Sequence, residues 1–233
     1  MTYTIQNMWL DPSKYPLKSP RTMNPKGIII HNTSNNASAM NEAKYMTTNN
    51  NNVSFHVVVD DKHAVQCVPF SRVAHHAGNY NANQMYVGLE IAQSSDDKIY
   101  PACEANAIVY VAHVCMQYGW NPHKDIRFHR EFNNTACPVR IPTSRYKTFR
   151  DAVSNKIDEI KNGGVLNDPK PPKEKDDDIM LTETGRKEIR ELLKKARAAG
   201  IIDAKYHTDD KIAKYNDVQL LSYQAAVINR EFK

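Results

Sequence analysis

Apolar and polar positions recur along this chain with two different periods. The run Gly27-Ile28-Ile29-Ile30-His31 is short and β-branched, which predicts a strand ending at His31. Over residues 53–59, Val53, Phe55, Val57 and Val59 share one face, and Ser54, His56 and Val58 share the other. That alternation predicts a second strand. Asp60-Asp61-Lys62 predicts a turn, with residues 63–68 returning as a hairpin partner. Residues 86–92 alternate as well, with Val87, Leu89 and Ile91 opposite Tyr86, Gly88 and Glu90, and residues 125–131 predict another strand. Helical spacing appears over 102–118, through Ala107, Ile108, Val111, Val114, Cys115 and Tyr118, and stops at Gly119 and Pro122. It returns over 144–161, through Phe149, Val153, Ile157 and Ile160, before Gly163-Gly164. Strands alternating with helices predict a layered α/β domain.

The pattern then breaks. Residues 161–178 hold only Val165 and Leu166 as apolar side chains among glycine, proline and charge. Such a stretch cannot bury a core, so it predicts a linker, partly extended through Pro169, Pro171 and Pro172. Beyond it the spacing is purely helical. Thr182 or Thr184 caps a helix to about Ala199, carrying Ile189, Leu192, Leu193 and Ala196, and Gly200 ends it. A second helix starts near Thr208-Asp209-Asp210, and a third covers 216–231 with Val218, Leu221, Ala225 and Ile228 inward. The expected organisation is a domain over 1–161, a linker over 162–178 and a small all-α domain over 179–233. So small a helical unit has a thin core and gains from a partner, so self-association through it is an expectation.

Composition narrows the class only slightly. The 233 residues are 41% hydrophobic and 24% charged, an ordinary globular balance. The net charge of +5 favours an acidic partner, such as a nucleic acid, an anionic lipid surface or an acidic wall polymer, without choosing among them. No apolar run approaches the roughly 18 residues that a membrane span needs. The opening residues lack a basic segment followed by an apolar one, so no signal peptide is expected and the chain is expected to fold in a cytoplasm. Cys67, Cys103, Cys115 and Cys137 form no C-x-x-C pair. In a reducing compartment they read as free thiols or metal ligands.

Two histidines stand where strands would deliver them to a site. His31 ends its strand before a polar loop, and His129 lies eight residues ahead of Cys137. Imidazole and thiolate are good zinc ligands, and three protein ligands with an open fourth position is the catalytic arrangement. The same pair also suits a cysteine hydrolase with Cys137 as nucleophile and His129 as base. His56 is expected to pack near the site, His75 to form a groove wall, and His63 and His123 to be solvated. Cys67, Cys103 and Cys115 fit apolar positions and are expected to be buried.

Five segments occur in a telling order: KGIIIHNTS, VSFHVVVDD, HHAGN, YVGLEIA and FHREFNNTACPVR. In order and spacing they resemble the type-2 N-acetylmuramoyl-L-alanine amidases, a zinc family that includes bacteriophage endolysins and the peptidoglycan recognition proteins. The resemblance covers roughly residues 20–160 and is closest to endolysins of phages that infect Gram-positive spore formers. It implies a central mixed β-sheet flanked by helices. It implies zinc held by His31, His129 and Cys137, a general base at Glu90, and a substrate groove lined by His76. Many members carry a lysine two residues before the cysteine, serving the oxyanion; this chain has Thr135 there, which is expected to belong with Glu90 to the catalytic set. Some carry tyrosine where this chain has Phe55. The implied substrate is peptidoglycan of a Gram-positive host, cut between N-acetylmuramic acid and L-alanine. The tail is then expected to bind the wall, through peptidoglycan or a secondary wall polymer. The site of synthesis is then the host cytoplasm, from which the enzyme is released to the wall. A non-catalytic peptidoglycan-binding protein of the same fold is the rival reading within the family, and a nucleic-acid binder is the rival from charge.

Overall fold

The computed structural model describes residues 3–162, 183–202, 207–215 and 220. The chain divides into two compact units, Met1–Pro172 and Lys173–Lys233.

Among the described residues, the first unit is built on a six-stranded sheet. Its strands are β1 (Thr4–Asn7), β2 (Gly27–Asn32), β3 (Val57–Val59), β4 (His63–Gln66), β5 (Tyr86–Ile91) and β6 (Ile126–Phe128). They lie in the order β1-β4-β3-β5-β2-β6. Only the β3–β4 hairpin is antiparallel; the other neighbours run parallel, so the sheet is mixed. Its helices are α1 (Tyr15–Lys18), α2 (Ala39–Thr48), α3 (Tyr80–Asn83), α4 (Tyr100–Tyr118), α5 (Pro122–Asp125) and α6 (Tyr146–Lys161).

Parallel central strands need cover on both faces, which is why β2 is buried at every position. On one face Ile28, Ile30, Val57, Val59, Val87, Leu89 and Ile91 meet Ala107 and Val111 of α4 and Phe149, Val153 and Ile157 of α6. Gly119 ends α4 in the left-handed conformation at φ 70°, its N–H bonded to the Cys115 carbonyl, as the pattern predicts. On the other face α2 covers only the β3–β4 half, packing Ala39, Ala43 and Met46 on Val58 and Val65. The Asp60 carboxylate ties this corner together. One oxygen accepts from the Lys62 and His63 amides to close the hairpin, and the other accepts from the Ala39 amide at the start of α2. Among the described residues the β2–β5 half of that face carries no long helix, and there the segments around Ala77, Ala82 and Phe132 come down on Ile29.

Two expected strands are shorter in the structure. Residues 53–56 lie outside the sheet, and Phe55 joins the α2 cluster instead of sharing a face with Val57. Both Cys67 and Val68 donate to the His56 carbonyl, which breaks the alternation at that residue. The strand expected over 125–131 ends at Phe128, and His129–Glu131 form a 3-10 turn. Neither β1 nor α2 stands out in the apolar pattern, because β1 alternates half-exposed positions and α2 buries mainly alanine, methionine and threonine.

In the second unit, α7 (Glu183–Ala198) and α8 (Asp209–Ala213) are described. Ile189, Leu193, Ala196, Ile202, Ile212 and Leu220 form its core, and Gly200 at φ 72° follows α7. The expected linker, apart from Asn162, lies outside the described residues. So does the third tail helix, apart from Leu220.

Candidate metal centre and its groove

The end of β2 delivers His31 to the half of the sheet that α2 leaves uncovered. Three donor atoms, one each from His31, His129 and Cys137, lie within 4.8 Å of one another. Sγ of Cys137 is 3.8 Å from Nδ1 of His31, and the His31 and His129 ring centroids are 4.5 Å apart. His129 opens the 3-10 turn that directly follows β6.

Local hydrogen bonds shape the cysteine loop. The Asn32 amide donates to Sγ of Cys137 at 3.3 Å. The Asn32 side chain accepts from the Arg140 amide and donates to the Ile91 carbonyl and the Tyr100 hydroxyl. Asn32 therefore anchors both the sulfur and the loop that carries it to the strand end. In the sequence Asn32 reads only as part of a polar loop; its position directly after a candidate ligand was the available signal. Arg130 donates to the carbonyls of Thr135 and Ala136, closing the loop from the other side. The Thr135 hydroxyl oxygen accepts the Cys137 amide at 3.2 Å and braces the same turn. The Cys137–Pro138 peptide is cis.

Glu90 joins the cluster from β5, where it pairs in register with His31. Its Oε2 is shielded from solvent and has no hydrogen-bond partner among the described residues. Both ring nitrogens of His129 are shielded too, and neither completes a hydrogen bond of ordinary geometry, although the Ala77 backbone lies close enough to favour the charged ring. Unpartnered buried polar atoms are rare and call for an explanation.

Electrostatics point the same way. Burial, then the neighbouring His76, His129 and His56 rings, hold His31 well below the usual histidine range. Burial lowers His129 as well. Burial and then Glu90 push the Cys137 thiol up to about 12, and burial and then Glu42 push the Glu90 carboxyl up to about 8. The site thus gathers two neutral imidazoles with two acids that resist ionising. A divalent cation would reverse both resistances, and two imidazoles plus a thiolate is a donor set that zinc prefers. The residues fit such an ion.

His76 lies behind His31, buried, with Nδ1 3.0 Å from Nε2 of His31 and Nε2 3.1 Å from the Tyr86 carbonyl. It also borders an open groove of about 540 Å³ beside His129, with Arg21, His75, Tyr80 and Asn133 among its other walls. His75 makes a hydrogen bond to Asn52 at the groove rim. His56 is fully buried; its Nδ1 accepts from the Gly88 amide and its Nε2 donates to the Arg72 carbonyl. Burial brings it down to about 4. Cys67, Cys103 and Cys115 are buried thiols away from the cluster.

Residues 21–140 match the family described as N-acetylmuramoyl-L-alanine amidase. The N-acetylmuramoyl-L-alanine amidase CwlA of a Bacillus species is 32% identical over 231 residues, 95% of this chain and 89% of that protein. Endolysin PlyTW of Staphylococcus phage Twort is 30% identical over 131 residues, 52% of this chain and 27% of the phage protein. This chain spans 61% and 52% of the length of two further relatives from Bacillus subtilis. The solution structure of the PlyG catalytic domain has a TM-score of 0.62 at 39% identity, covering 66% of this chain and 94% of that one.

Proposed function

This chain belongs to the N-acetylmuramoyl-L-alanine amidase family, and on that premise we propose that it is an endolysin. It is an amidase that acts on peptidoglycan. In the proposed reaction water cuts the amide between the lactyl group of N-acetylmuramic acid and L-alanine of the stem peptide, and zinc is the group that would activate it. The observation that carries this reading is the convergence of donor atoms of His31, His129 and Cys137 within 4.8 Å, with Glu90, whose Oε2 is buried and unpartnered among the described residues, paired in register with His31.

His31, His129 and Cys137 would hold the ion. A bound zinc would supply a water of pKa near 7 and a positive charge for the oxyanion. Glu90 accepts the proton of the attacking water as its oxygen adds to the lactyl carbonyl carbon. It then returns that proton to the alanine nitrogen as the C–N bond breaks, so the products are a carboxylic acid and a free amine. The groove between Arg21, His75, Tyr80 and Asn133 receives the stem peptide. None of the groove's lining residues is acidic, which suits a peptide bearing carboxylates.

A cysteine nucleophile fits the same residues less well. Reactive thiols sit in electropositive surroundings that lower their pKa, whereas Cys137 is raised by burial and by Glu90. Retention of the three donors with Glu90 also favours an enzyme over a non-catalytic binder.

In this reading the second unit binds the wall of a Gram-positive host, and the chain is made in the host cytoplasm before it reaches its substrate. The similarity to a phage endolysin supports the lytic role. Mass spectrometry of peptidoglycan digested by the full chain tests the reaction. New L-alanine amino termini on intact glycan strands are expected, with activity lost to a chelator and restored by zinc. New reducing sugar ends, or activity that survives the chelator, would refute it.

A further inference from the structure

We propose that His76 is a positioning residue that sets the tautomer of His31, so that His31 turns the lone pair of Nδ1, and not of Nε2, toward His129 and Cys137. The Tyr86 carbonyl oxygen can only accept, so Nε2 of His76, 3.1 Å away, carries a proton. A neutral imidazole has one N–H, which leaves Nδ1 of His76 as an acceptor. The atom it faces, at 3.0 Å, is Nε2 of His31, which must therefore be the donor. A neutral His31 with its proton on Nε2 has its lone pair on Nδ1, the nitrogen 3.8 Å from Sγ of Cys137. One backbone carbonyl thus dictates, through two imidazoles, which nitrogen is free at the centre.

The neutral state of His76 follows from its surroundings. Its ring lies 5.1 Å from the His31 ring and 5.7 Å from the His56 ring, and among the described residues it forms no ion pair with a carboxylate. A proton on both nitrogens would also set two donors against each other at His31.

Gly88 supports the arrangement independently. A Cβ at Gly88 would lie 2.5 Å from Cγ of His76, so the imidazole packs directly on bare backbone. Gly88 is itself held from both sides by His56, whose Nδ1 accepts the Gly88 amide at 2.8 Å and whose amide donates to the Gly88 carbonyl at 3.0 Å. The strand position that lacks a side chain is the one that seats His76 against His31. His76 borders the groove, but its hydrogen-bonding capacity is directed inward. Metal-bound histidines are generally oriented by such a partner on the second nitrogen, and losing it weakens metal binding by roughly 10–100-fold.

The metal-affinity arm of the test rests on the zinc reading above, whereas the tautomer itself does not. Two-bond ¹H–¹⁵N correlation spectra of the full chain, as purified and after chelator treatment, report the protonated nitrogen of each histidine. His31 and His76 should both show N–H at Nε2. A proton on Nδ1 of His31, a mixture of tautomers, or a doubly protonated His76 overturns the proposal whether or not zinc is bound. Zinc affinity by chelator competition should then fall roughly 10–100-fold in His76→Leu. It should recover most of the way in His76→Asn, whose carbonyl oxygen can replace the Nδ1 acceptor. A folded His76→Leu protein that binds zinc as tightly as the parent overturns the positioning role. If His76→Leu does not fold, the spectra of the parent and the affinity of His76→Asn decide.

Discussion

Glu90 stands directly opposite His31 in the register of β5 and β2, the two parallel strands at the centre of the uncovered half-face. The pairing places a carboxylate beside a candidate ligand without using a loop. Glu90 is paired in register on both sides, with His31 of β2 and Val58 of β3, which is the rigid support that a catalytic constellation needs.

If Glu90 is the proton carrier, Glu90→Gln keeps the shape of the side chain and removes the base. We expect the fold and zinc content to stay unchanged while turnover falls by roughly 10²–10⁴. Steady-state kinetics on purified muropeptides, with elemental analysis of the same sample, measures both. Near-normal turnover would make the carboxylate structural.

The donor set predicts about one zinc per chain in protein purified without chelator. Cys137→Ser replaces a thiolate donor with a hydroxyl that does not ionise near neutral pH, so most of the metal should be lost, and activity with it. Unchanged zinc content in that variant would remove Cys137 from the ligand set.

Acid should unfold this domain partly through His56. Burial is the main cause of its lowered value of about 4, partly opposed by the bond to the Arg72 carbonyl, against 6.5 for an unburied ring. The unfolded chain therefore takes up a proton that the folded ring refuses. The His56 contribution is intact above about pH 6.5 and shrinks as pH falls toward 4, by on the order of 3 kcal/mol in all. Thermal unfolding of the full chain across this range should show the decline. In His56→Asn the slope should be shallower by about one proton, and equal slopes would place the uptake elsewhere.

The two-unit division predicts that a fragment ending near Asn162 folds and cuts soluble muropeptides as the full chain does. It should bind whole walls less well, because a tethered binding module raises the local concentration of enzyme at its substrate. A fluorescent fragment 179–233 should decorate sensitive cells without lysing them. A fragment that binds no wall, with the truncated enzyme lysing as well as the full chain, would point to assembly. Sedimentation of both proteins would then show a mass difference beyond that of the tail itself.

Long periodic elements could be read from the chain itself. The apolar spacing over 102–118 and 144–161 gives α4 and α6 to within a few residues, because a helix buries a stripe that repeats locally. The Ile28–Ile30 run gives β2 for a similar reason, since a central parallel strand is apolar on both faces. Shorter elements were harder. The strand expected over 53–59 contains a break at His56, whose carbonyl accepts two amides from the returning strand, and that contact leaves no local mark.

By itself, the sequence determined the layered α/β plan, the helical character of the tail and, through the order of five segments, the residues able to form a metal centre. Those features depend on local periodicity or on residue type. Only the tertiary structure decided that β6 stops one residue short of His129, that Asn32 and Arg130 grip the cysteine loop, and that Gly88 leaves room for His76 behind His31. The Asn32–Cys137 and His76–His31 contacts join positions far apart in the chain, and a tautomer is set by its partner's chemistry at about 3 Å, which residue spacing along a chain does not encode.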